Sequence, residues 1–153
     1  MATNDRTDDI TAERPGLVSM AWLLLGSREA AEDAVQEAIA RTITRPRADI
    51  ENLGAYLRGA VVNECRSELR RRQRRGTATL SDDLVHPSGL DAHDIDLLSV
   101  VWTLSERRRT AVVLRYYAGM AVNDVAHQMD CRPSTVSSLL HRAMNDLRRA
   151  LDA

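Results

Sequence analysis

Between Arg132 and Arg142 polar side chains recur at intervals that a helix would turn onto one face. Ser134, Ser137, Ser138, His141 and Arg142 follow at steps of three and four residues. With Arg132 and Thr135 they offer hydroxyls, an imidazole and guanidinium forks, groups that can approach phosphates and base edges. A second polar set, Asp33, Gln36 and Glu37, shares one face of another helical pattern. Acidic and amide groups there suit a basic partner surface, and plain solvation equally. A third set is basic: Arg70, Arg71, Arg72, Arg74 and Arg75 close a helical stretch, as an electrostatic footprint for duplex DNA or as a solvated helix end. No nucleophile–base pair, phosphate loop or metal cluster is visible, so catalysis is the least supported class and no cofactor or metal is expected. Cys65 and Cys131 stand far apart outside any CxxC pattern and are expected to be reduced. His86, His93, His127 and His141 lack zinc-ligand spacing.

The elements that must position these groups are helical throughout. Val122 to Leu147 has the grammar of a helix-turn-helix. A short helix, VNDVAHQM, turns Val125, Ala126 and Met129 inward, and DCRP makes a tight turn. The following helix starts near Pro133, with Ser134 or Thr135 as cap and Val136, Leu139, Leu140 and Ala143 as its buried seam. In such a motif the second helix enters the major groove by its N-terminal half. An ordinary helical hairpin with a polar outer face would read the same way. Upstream, residues 1 to about 13 are polar and acidic and are expected to be loosely attached, with Pro15 in a first helical turn. Gly26 and Ser27 break that helix, and Ser27 caps a second one whose Ala31, Ala34, Val35, Ala38, Ile39 and Thr42 share a face. Thr44 to Asn52 reads as a loop because Pro46 bars a continuous helix. A third helix runs from about Leu53 to Arg75, with Leu53, Tyr56, Leu57, Ala60, Val61 and Leu69 spaced for one face.

From Gly76 to Asp91 the chain holds Gly, Pro, Ser, Thr and acidic residues but no basic one, which is a linker signature. Beyond it come a helix in DAHDIDLLSVVWTL and another capped by Ser105 and running through Arg107 to Gly119. The expected fold is all-α, with two helical domains, residues 1–75 and 92–153, joined by a flexible linker over 76–91. Composition agrees: the chain of 153 residues is 44% hydrophobic but 3% aromatic with no Phe, a balance that favours packed helices over sheets. The net charge of −1 hides segregation along the chain, and every one of the 21 basic residues is arginine. That choice fits a GC-rich genome or selection for guanidinium forks, and composition does not separate them. The polar, acidic N-terminus is unlike a signal peptide and no apolar run reaches membrane-spanning length, so a soluble cytoplasmic protein is expected.

The segment LSERRRTAVVLRYYAGMAVNDVAHQMDCRPSTVSSLLHRAMNDLRRAL resembles region 4 of the extracytoplasmic-function (ECF) sigma factors. AWLLLGS, AEDAVQEA and AYLRGAVVNECRSELRRR resemble region 2 of the same sigma-70 superfamily, in the same order. The resemblance implies a factor that binds core RNA polymerase and directs promoter-specific initiation, with promoter DNA as ligand. It leaves room for an anti-sigma partner, and a monomer when free is expected. By resemblance, Asp33, Gln36 and Glu37 face the polymerase. Arg45, Arg47 and Asn52 lie in the segment that captures an unstacked −10 base, with Asn63 near that pocket. Arg58, Arg66, Arg70 and Arg71 serve backbone phosphates. Arg132, Ser134, Thr135, Ser137, Ser138, His141 and Arg142 face the −35 element. The departures are specific: Tyr56 stands where the family commonly has Trp, and the recognition helix lacks two habitual basic residues, so weaker or altered −35 binding is expected. Ile39 and Ile43 replace aromatics and are expected to repack the core. Competing readings are another helix-turn-helix regulator and an adapter that binds polymerase without reading promoters.

Overall fold

Residues 17–26 are buried without interruption, as in a helix that is apolar all round and surrounded by others. They end α1, which spans Ala2–Leu25 in the computed structural model, where residues 2–46, 50–76 and 99–152 are described. The expectation of a loosely attached N-terminus is corrected. The helix begins at Ala2, Ile10 is buried, and Arg6 and Arg14 reach the second helix. Pro15 accordingly lies well inside α1 rather than in a first turn. It cannot donate to the Thr11 carbonyl, but Pro15 is exposed, so solvent is at hand at the break.

Among the described residues two further helices belong to this unit, Met1–Gly89. Ser27 caps α2, Arg28–Ile43, by accepting from Ala30 N at 3.3 Å. Its buried face is Ala31, Ala34, Val35, Ala38, Ile39 and Thr42, and the Thr42 hydroxyl is satisfied by donating to Ala38 O at 2.8 Å. Ile43 is 61% exposed, which corrects its expected place in the core: one position past Thr42, the helix has turned it to solvent. The third helix, α3, spans Leu53–Arg75. Leu57, Val61, Val62 and Cys65 are buried, whereas Tyr56, Ala60 and Leu69 are half-buried. Gly76, at φ 67°, ends α3 in the left-handed conformation glycine tolerates. Each of the three helices packs on the other two.

The second unit is Leu90–Ala153. The expected linker beyond Gly76, and the start of the helix expected from Asp91, lie outside the described residues. Residues 99–102 are helical. Next comes α4, Glu106–Val112, where Ser105 holds the N-cap position but makes no side-chain cap bond, contrary to expectation. The chain continues as a π-helical turn, Val113–Tyr117, marked by Ala118 N donating to Val113 O at 2.9 Å. Val113 and Leu114 stay buried there, while Tyr116 and Tyr117 come out to solvent. Two helices follow, α5, Val122–Gln128, and α6, Pro133–Asp152. Arg109 is buried, stacked 4.1 Å over the Trp102 ring, and donates to Leu104 O at 3.2 Å. Burial pulls its pKa below the ordinary arginine value, against an opposing pull from Glu106. Arg108 pairs with Asp146 and so ties α4 to α6.

Candidate nucleic-acid interface

The α5–turn–α6 segment brings its polar residues to one surface. Val125 and Ala126 are buried in α5, and Val136, Leu140, Ala143 and Leu147 are buried in α6. Met129 and Leu139, expected in the seam, are half-buried at its margin. The turn is made by Asp130, which takes φ 52°, a left-handed conformation in which Asp is enriched. Cys131 N then donates to Ala126 O at 3.0 Å. The cap differs from expectation. Because α6 starts at Pro133, Ser134 and Thr135 already lie in its first turn, and the Arg132 carbonyl accepts from Thr135 N and Val136 N. The Ser134 hydroxyl is thus at the surface: Arg132, Ser134, Ser137, Ser138, His141 and Arg142 are exposed, and Thr135 is half-buried. Together they form a polar strip at a helix start, where backbone N–H groups and the helix dipole also favour an anion.

In the first unit, a polar groove of about 640 Å³ lies between α2 and α3, lined by Asp33, Glu37, Arg41, Glu64, Glu68 and Arg70 among others. Asp33, Gln36 and Glu37 are exposed. Arg14 donates to Gln36 Oε1 at 3.0 Å, and Arg41 pairs with exposed Glu37 at 3.5 Å and with buried Glu64 at 2.7 Å. The exposed Arg41–Glu37 pair stabilises little and is readily exchanged for a partner's charges. The arginine run beyond is not one uniform patch. Glu68 takes Arg71 at 3.2 Å, Arg72 at 3.4 Å and Arg75 at 3.5 Å, while Arg72 also donates to Leu25 O, the last carbonyl of α1, at 2.7 Å. Arg70 and Arg74 are exposed.

The segment between α2 and α3 holds the remaining predicted residues, and Arg47 lies outside the described ones. Arg45 is exposed with its guanidinium 5.8 Å from the centre of the Tyr56 ring. Asn52 caps α3, its Oδ1 accepting from Ala55 N at 3.1 Å, so this oxygen is committed to the fold. Asn63 is exposed, whereas Arg58 and Arg66 are half-buried. Arg58 is hemmed in: a β-carbon on Gly54 would stand 3.3 Å from Arg58 Nη1 and 3.2 Å from Glu13 Oε1, so glycine lets the side chains approach here. Sequence reasoning missed Arg6, Arg14 and Arg109, which act on carbonyls, an amide or a ring rather than in a polar face, and it grouped Arg72 with the basic run without its contact to α1. Among the described residues no group of three His, Cys, Asp or Glu could hold a metal ion, and no helix is long and apolar enough to cross a membrane.

Comparison with known proteins gives this geometry its context. The family model for sigma-70 region 2 matches residues 10–75, and that for sigma-70 region 4 matches residues 95–147. An RNA polymerase sigma-E factor from Streptomyces antibioticus is 34% identical, over 80% of this chain and 71% of its own length. The chain belongs to the sigma-70 family of RNA polymerase sigma factors, in its ECF group. The ECF sigma factor EcfG of Rhodopseudomonas palustris is 29% identical to it, over 97% of this chain and 86% of that one. Among solved structures, the sigma factor RpoE of Bartonella quintana, crystallised with the anti-sigma factor NepR, matches with a TM-score of 0.67 at 26% identity. That match covers 97% of this sigma factor and 98% of the other chain. The polar strip of α6 falls within the region 4 match, and the α2–α3 groove and the Arg45–Tyr56 contact fall within region 2.

Proposed function

We propose that this sigma factor binds core RNA polymerase and directs promoter-specific initiation, region 2 serving the polymerase and the −10 element and region 4 the −35 element. The observation that carries the reading is collinearity: matches to both regions occur in one chain, in order, one within each unit. The exposed α2 face around Asp33, Gln36 and Glu37 is assigned to the polymerase. Arg45 and Asn63 are assigned to the opened −10 strand, with Arg58, Arg66, Arg70 and Arg71 on phosphates. Ser134, Ser137, Ser138, His141 and Arg142 are assigned to the −35 major groove. Serines replace longer basic side chains on that strip, so −35 binding rests on fewer charge contacts and shorter reach. The factor works in the cytoplasm, where polymerase and chromosome meet. Because the RpoE neighbour was crystallised with an anti-sigma factor, a protein antagonist of the same class is assigned to this factor too.

The test is run-off transcription with core polymerase on fragmented genomic DNA, with the products sequenced. Discrete start sites sharing two upstream elements are expected. Core binding without promoter-dependent transcripts would leave an adapter instead, and tight duplex binding by the free protein would favour a repressor.

A further inference from the structure

The last carbonyls of a helix lack an intrahelical partner and form the negative end of its dipole. At the end of α2 Thr42 O accepts from Arg45 N at 3.1 Å, and a residue far away in sequence adds to that hold. Arg6 Nη2 donates to Thr42 O at 2.5 Å and its Nη1 to Arg45 O at 2.9 Å, across 36 and 39 residues. The two ends of one planar fork therefore hold the last turn of α2 and the residue just beyond it in a fixed relation. Arg45 is the residue whose guanidinium lies 5.8 Å from the Tyr56 ring centre. The same stretch of α1 also borders the far side of the α2–α3 connection: Arg6 and Asp9 line a cavity of about 240 Å³ with Ile50, Glu51 and Leu53. The first turns of α1 thus touch both described ends of that connection.

We propose that Arg6 is a positioning residue for −10 recognition, acting through Arg45. Its fork fixes the Arg45 backbone so that the Arg45 side chain is presented beside Tyr56, where an unstacked base or its phosphate would be met. Arg6 itself need not touch DNA. The proposal rests on the reading that this part of region 2 engages the opened −10 strand.

The experiment measures holoenzyme affinity for a fork-junction DNA carrying a single-stranded −10 element. The variants are Arg6→Ala, Arg6→Lys, Arg45→Ala and the Arg6→Ala/Arg45→Ala pair, each also titrated with core polymerase alone. Arg6→Ala is expected to weaken fork binding about five- to tenfold, the scale of about one net hydrogen bond, because the Arg6 contacts are internal and reach the DNA only through Arg45. Core affinity should stay within about twofold. Arg6→Lys, which keeps the charge but not the fork that spans both carbonyls, is expected to recover only a minor part of the loss, and the double variant should be no weaker than Arg45→Ala alone. Wild-type fork binding by Arg6→Ala, with Arg45→Ala impaired, would overturn the proposal and leave the −10 reading standing. A silent Arg45→Ala would remove that reading and the proposal with it. Parallel loss of core and fork affinity in Arg6→Ala would make Arg6 a general fold contact and also overturn it.

Discussion

Arg72 and Arg74 stand two residues apart in one arginine run, yet their surroundings differ. Arg72 is mostly covered, caps the end of α1 through Leu25 O and pairs with Glu68, whereas Arg74 is exposed. Arg72→Ala should therefore cost about 1–2 kcal/mol of stability through the lost cap, and Arg74→Ala less than about 0.5 kcal/mol. Urea unfolding curves of the two variants check this, and equal midpoints would contradict it. On promoter DNA the order reverses, with Arg74→Ala flattening the salt dependence while Arg72 is occupied by protein. Arg142 belongs to a different class. It is exposed on α6 beside Ser138, so Arg142→Ala should lose about 1–3 kcal/mol of discrimination at one −35 base pair, with little change in salt slope. Equal weakening on every singly substituted promoter would make it a phosphate anchor. The cysteines separate by burial. Chiefly desolvation, with Glu64 adding to it, pushes the Cys65 thiol up to about 12. At pH 8 one thiol per native chain, Cys131, should react with iodoacetamide, and the second only after unfolding. Cys65 also fixes a sign. Its pKa is raised by folding, so its contribution to stability is present below the unfolded value of 9.0 and is lost as pH rises from there toward about 12.

Elements with one buried face were legible, and those with two or with remote partners were not. The periodicity of α2 named its buried residues, and that of α6 named Val136, Leu140 and Ala143 but took half-buried Leu139 for core and left out Leu147, because each helix turns a single stripe to a core. The N-terminal half of α1 defeated the same logic. Its acidic residues look like a solvated tail, and what holds it is Ile10 together with arginines that reach α2. No local pattern announces a contact made 36 residues away. Pattern also failed at the end of α2, where Ile43 continues the apolar run but rotates out of the core. If the first turns of α1 belong to the fold, Ile10→Ala should destabilise region 2 by about 2–4 kcal/mol, the scale of truncating a buried aliphatic side chain. Asp8→Ala, on the exposed side, should leave the melting temperature unchanged. A melting temperature for Ile10→Ala within about 1 °C of wild type would return the segment to the status of a tail.

At the scale of the whole molecule the exposed polar strip of α6 was legible, because exposure follows directly from its spacing. Its cap was not, since Pro133 moved the helix start ahead of both predicted capping residues. The division of labour between two units is the remaining large-scale expectation. Between Arg75 and Arg107 the chain has no basic residue, and Gly76 to Asp91 is rich in helix breakers. Trypsin is therefore blind to that stretch, and a protease of broad specificity such as subtilisin is the right probe. If the breaker-rich segment joins two self-contained helical units, the first cleavage should fall near Thr77–Pro87. Mass spectrometry of the early products should then show two fragments, each persisting while the parent chain disappears. The N-terminal one should retain core polymerase binding, because the Asp33–Glu37 face lies wholly within it. A first cut inside α2 or α6 would deny the two-unit arrangement. Persistence of the N-terminal fragment with loss of core binding would instead move the polymerase contact out of region 2.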